Sequence, residues 1–181
     1  LEPLPKGLIE VDDRYRTKVP HILAIGDIIG FPSLASSARV QGRRAMRYLL
    51  DLPVEADDTR CLPAGIYTIP EVAYVGKNEA ELTEAGIPFV KGMSRFGEVV
   101  RGAISGAEEG LLELYFHRET RELLGAHLFG QNATELIHLA QTMMAHHGKL
   151  DYLVNQVLNY PTLTETYKIA AFDAELQLGI E

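Results

Sequence analysis

Cysteine occurs once in this chain, at Cys61. A single thiol excludes an internal disulfide, a CxxC redox pair and a cysteine-rich metal site. It fits a reducing compartment, so a cytoplasmic location is expected, with Cys61 an inert thiol. Nowhere does the sequence contain GxGxxG, so neither dinucleotide pyrophosphate fingerprint is present. Nor does it contain a GxSxG nucleophile elbow or an HExxH metal helix. Positive charge is in deficit, with 17 Lys and Arg against 25 Asp and Glu and a net charge of -8, which argues against a nucleic-acid surface. Only GRRAMR gathers basic residues, and these read as one solvated helix face. Long apolar runs are missing too: HILAIGDIIG is broken by a charge well short of a membrane span. The opening LEPLPKGLIEVDDRYR has neither the basic start nor the apolar core of a signal peptide. It also lacks an initiator Met, from which a piece of a longer protein is expected.

What is present is an ordinary globular composition, 46% hydrophobic and 23% charged over 181 residues, enough for a proper core. Residues 8–12 (LIEVD) read as a short strand and 21–29 (HILAIGDII) as a strand buried on both faces of a parallel sheet. Ser33 is placed to cap a helix over 34–50, with Gly42 inside it, where close approach by another element or a ligand would explain a glycine. The proline-rich, acidic stretch 51–65 reads as a connector between a first segment, 1–58, and a second, 63–181.

The second segment reads as α+β. A strand is expected over 67–76, with Pro70 at an edge or bulge, then a helix over 78–86 closed by Gly86. PFVKGMSRF and VVRGAISG follow as strands, and LLELYFHRETRELLGAHLFG as a hairpin turning across His117 to Thr120. Asn132 with Glu135 forms a capping-box pattern for a helix over 133–147, where Leu136, Leu139, Ala140 and Met143 recur at helical spacing. Helices over 150–158 and 163–176 complete the chain. Their apolar residues, among them Leu150, Tyr152, Leu153, Val157, Leu158, Tyr167, Ile169, Ala170, Ala171 and Phe172, exceed what one core absorbs. The remainder marks a partner surface, most simply that of a two-fold homodimer.

Two places could carry chemistry. One is Gly26-Asp27 at the end of the apolar run, where an aspartate can accept hydrogen bonds from sugar-alcohol hydroxyls and glycine admits a ligand close to the backbone. The helix start at Ser33, Leu34, Ala35 and Ser36 would aim free N–H groups and a positive dipole end at the same space. A plain turn aspartate is the competing reading. The other is Asn159-Tyr160-Pro161-Thr162, with Glu165 beyond it at the start of the last helix. His138 reads as a partly buried core histidine, His146 and His147 as helix-end residues, and His117 and His127 as surface or packing residues.

The run RTKVPHILAIGDIIGFPSLASSARVQGRRAM resembles the last FAD-binding segment of the pyridine nucleotide–disulfide oxidoreductase family. YTIPEVAYVGKNEAEL and GAHLFGQNATELIHLAQTMM resemble the same family's C-terminal interface domain. The resemblance implies the end of an α/β FAD-binding domain followed by a dimerisation domain with an antiparallel sheet and packed helices. By the same resemblance Asp27 binds the flavin ribityl chain, with Gly26 and Ser33 through Ser36 near the ring system. Disulfide-reducing members carry His-Pro-Thr-x-x-Glu where this chain has Tyr160-Pro161-Thr162 and Glu165.

A phenol, with a pKa of about 10, is a poor base at neutral pH, whereas imidazole titrates at about 6.5. Dithiol chemistry needs a base poised near working pH, and hydride transfer between nicotinamide and flavin does not. Tyr160 therefore resembles the family's transhydrogenase branch, which passes hydride between NADPH and NAD through FAD. Two alternatives stay open: a disulfide reductase like dihydrolipoamide dehydrogenase, and a dimerisation module without activity. Tyr160 and Glu165 could also be retained architecture, a helix-start aromatic at a dimer seam. Without the GxGxxG segments, this chain alone is expected to hold FAD weakly or not at all and not to turn over NADPH.

Overall fold

A computed structural model describes residues 1–54 and 61–179. The chain divides into two compact units, Leu1–Asp57 and Asp58–Glu181. The middle of the expected connector and the end of the first segment at 58 lie outside the described residues.

The first unit is built on one helix, α1 (Ala35–Leu49), whose buried side chains Ser37, Gln41 and Ala45 repeat every four residues. Neither expected strand forms here. Residues 21–29 make one isolated antiparallel bridge, Leu23 to Arg16, and then a 3-10 turn, Gly26–Ile29. An apolar run becomes a strand only when a neighbour satisfies its backbone groups, and no other strand is described in this unit; Ile22, Ile25 and Ile28 stay exposed. The expected reason for Gly42 holds: a Cβ there would lie 3.1 Å from Ile25 Cδ1, where the turn crosses α1.

The second unit is a five-stranded antiparallel sheet in the order β1-β2-β5-β4-β3. Its strands are β1 (Ala64–Ile66), β2 (Glu71–Gly76), β3 (Phe89–Arg95), β4 (Leu111–His117) and β5 (Leu123–Gly130). One face carries Ala73, Val75, Val90, Leu112, Leu114, Phe116, Ala126 and Leu128, all buried. Helices α4 (Ala133–Ala145) and α6 (Glu165–Gln177) cover that face, with α5 (Leu150–Asn155) against α6. The approach is close. A Cβ on Gly92 of β3 would lie 1.8 Å from the Ala170 carbonyl of α6. Burial of this apolar face stabilises the unit by about 25 cal/mol per Å2 removed from water.

Several expectations hold. The hairpin is β4–β5, and Gly86, at φ +65, follows the expected helix, α2 (Glu79–Glu84); the complete capping box that Asn78 and Glu81 make on it is a finding of the structure. Others are corrected. VVRGAISG is not a strand: Val100–Ser105 form helix α3, closed by Gly106 in the left-handed region. Gly102 allows this turn to pack on the preceding one, since a Cβ there would lie 1.9 Å from the Phe96 carbonyl. Pro70 sits ahead of β2, outside the ladder, and β2 is flanked on both sides rather than at an edge. Strand β1 overlaps the end of the expected connector, 51–65, and runs one residue past it.

The capping box expected at Asn132 does not form. Asn132 takes φ +62 and its side chain makes no cap bond. The N-terminus of α4 is capped instead from across the fold: Glu71 Oε2 of β2 accepts from Thr134 N at 3.0 Å and Thr134 Oγ1 at 2.7 Å. That backbone bond, with the hydroxyl bond behind it, holds the Glu71 carboxyl below the usual carboxylate range.

Candidate functional site

The 3-10 turn and α1 position the first candidate site. Gly26, at φ +78, donates its N–H to Gln41 Oε1 at 2.7 Å, which pins the turn to the second turn of α1. A Cβ at Gly26 would lie 3.4 Å from Ala38 Cβ. Asp27 is the next residue, exposed, with no side-chain hydrogen bond among the described residues. It stands in a helical turn rather than at the tip of a buried strand.

Ser33 does not cap α1. It sits at φ +50 and donates Oγ to the Gly30 carbonyl at 2.8 Å, and α1 starts at Ala35 with Leu34 as its uncapped N-cap. The first N–H groups of α1 therefore lack a side-chain acceptor, and the helix dipole adds positive potential there. Ser37, in the same first turn, is 8% exposed, and its Oγ is buried without a partner. A carboxylate on a turn pinned to the helix, uncapped N–H donors and an orphaned hydroxyl form a donor and acceptor set that fits a polyol with an anionic edge.

Gln41 and Ser37 were missed as site residues. Their signal was present: both are polar at positions where the four-residue spacing of α1 turns toward the interior.

The second site lies between α5 and α6. Its turn is held by Thr162 Oγ1 donating to the Asn159 carbonyl at 2.9 Å and by Thr162 N donating to Glu165 Oε2 at 3.1 Å. Glu165 opens α6, where a carboxylate also suits the dipole. Tyr160 is 64% exposed, and its hydroxyl has no partner among the described residues. The two side chains are thus near in sequence but form no hydrogen-bonded dyad: Glu165 is engaged by the turn's backbone, and Tyr160 faces outward.

Around this turn the apolar excess separates into two sets. Leu150, Leu153, Tyr167, Ala170 and Ala171 are buried in the core, and Leu158 and Ile169 are partly buried. Tyr152, Val157 and Phe172 remain exposed, joined by Leu176, and Val157 is 96% exposed.

His138 is exposed, not core, with Nδ1 at 2.8 Å from Gln141 Oε1. His146 ends α4, and His147 pairs with Glu122 at 3.4 Å. His117 Nδ1 accepts from the N–H groups of Glu119 and Thr120, both at 3.2 Å, which closes the hairpin turn. His127 packs on Tyr74 and edge-on to Tyr115. Cys61 is buried. Among the described residues no cluster of His, Cys, Asp or Glu could hold a metal ion, and no helix is long and apolar enough to cross a membrane.

Known proteins resemble this chain in sequence and fold. The soluble pyridine nucleotide transhydrogenase of Hahella chejuensis is 48% identical over 179 residues, 96% of this chain and 38% of the relative. That of Pseudomonas putida is 47% identical, over 93% of this chain and 37% of its own length. This chain thus spans well under half the length of these curated relatives. Among solved structures, LpdA from Mycobacterium tuberculosis superposes with a TM-score of 0.81 at 27% identity, covering 91% of this chain and 36% of LpdA. The HOCl-induced flavoprotein disulfide reductase RclA from Escherichia coli shares the fold, with a TM-score of 0.85 at 22% identity over 92% of this chain and 38% of RclA. Residues 62–171 match the pyridine nucleotide-disulphide oxidoreductase dimerisation domain, and the chain belongs to that family.

Proposed function

We propose that this chain is the C-terminal part of a FAD-dependent oxidoreductase that transfers hydride between NADPH and NAD. On this reading 1–58 is the end of the FAD-binding domain and 63–181 the homodimer interface. The protein is cytoplasmic, and it takes no nucleic acid or membrane as partner. The observation that carries the reading is Tyr160: an exposed phenol stands where disulfide-reducing members place their histidine, and Glu165 is occupied by the turn. A dithiol reaction would find no base there. The identity of nearly half the residues to relatives named as transhydrogenases supports the same choice.

FAD, when bound, supplies the hydride acceptor and donor that link the two nicotinamides. This chain's part is binding and electrostatics. Asp27 accepts from the polyol hydroxyls, and Gly26 leaves the backbone open to them. The N–H groups of Leu34, Ala35 and Ser36 face negative charge at the start of α1, while that of Ser33 is taken by the Gly30 carbonyl at 3.2 Å. Tyr160 and Glu165 shape the α5–α6 turn and move no proton. This chain contains no GxGxxG segment, so alone it holds FAD poorly, and the nicotinamide nucleotides bind to the remainder of the protein, so it does not oxidise NADPH.

The whole protein, purified yellow, is expected to reduce a thio-NAD analogue with NADPH. Reduction of lipoamide without transhydrogenation would replace this reading with that of a disulfide reductase. A chain that dimerises inside a protein with neither activity would leave only a dimerisation module.

A further inference from the structure

We draw no further inference here: the strongest candidate, the open groove of about 330 Å3 between the exposed Thr68–Pro70 loop ahead of β2 and the Gly106–Glu109 segment after α3, carries nothing because no feature of the structure shows what covers or fills it.

Discussion

Replacing Glu71 by alanine removes the acceptor for two donors at the start of α4, Thr134 N at 3.0 Å and Thr134 Oγ1 at 2.7 Å. Loss of an N-terminal cap costs about 0.5–2 kcal/mol, and a hydrogen bond to a charged group is worth about 1.5–3 kcal/mol. Glu71 is only partly buried, so water replaces part of what is lost. The expected loss is about 1.5 kcal/mol. Helix α4 buries Ala133, Ile137, Ala140 and Met143 in the core, so the effect should reach the whole second unit. Glu71→Gln keeps one acceptor oxygen and loses the charge, so about half that effect is expected.

The charge makes a sharper test. The folded carboxyl has a lowered pKa, so its contribution is full above the unfolded value, near 4.5, and is lost as pH falls through the folded one. Glutamine does not titrate. The stability gap between the parent and Glu71→Gln should therefore be constant from pH 7 to about 5 and close as pH falls below the unfolded value and through the lowered folded one. Urea denaturation at several pH values, with hydrogen exchange in the α4 peptide, would read it. A Glu71→Ala variant within about 0.3 kcal/mol of the parent, or a gap independent of pH, would refute the cap.

The remaining predictions address packing and function. Gly92→Ala should destabilise the second unit by about 3 kcal/mol in urea melts, because its Cβ would meet the Ala170 carbonyl at 1.8 Å and neither backbone can yield cheaply. Tyr160→Phe should leave stability within about 0.5 kcal/mol by thermal melt, since the hydroxyl has no partner, and Tyr160→His should confer no lipoamide reduction. In the whole protein, Asp27→Ala should weaken flavin retention by about tenfold, the worth of about 1.4 kcal/mol in hydrogen bonds. Unchanged affinity would remove Asp27 from the site. Val157→Arg should shift the protein from dimer to monomer in sedimentation at micromolar concentration, and an intact dimer would move the interface off the α5–α6 face.

The elements readable from sequence were those whose causes are local. Asn78 and Glu81 lie three apart before Leu82, and the box they make needs nothing outside the helix. The β4–β5 hairpin is likewise marked by its two apolar runs and the turn between them. Where the deciding partner is distant, the same signals misled. Residues 21–29 have the apolarity of a buried strand, yet strand formation depends on neighbours that the run itself cannot specify. VVRGAISG carries branched residues, but Gly102 lets it curl against Phe96. At the candidate flavin site, Gly26 and Asp27 could be picked out by residue type, whereas Gln41, which fixes their turn, emerged only once α1 had a buried side.

The clearest case is the pair of near-identical cap motifs, NEAEL at 78–82 and NATEL at 132–136. Both offer asparagine followed three residues later by glutamate, and local physics would cap both helices the same way. In the first, Asn78 is extended at φ -93 and reaches Glu81 N at 2.9 Å. In the second, the chain leaves β5 and turns into α4 through Asn132 at φ +62, a conformation that takes the side chain away from the free N–H groups. Thr134 is then open to Glu71, a residue 63 positions earlier in the chain. The substitute ties β2 to α4 with a charged bond that a local box would not provide. Short motifs state what a helix start can do for itself; whether it needs to depends on what the sheet brings beside it.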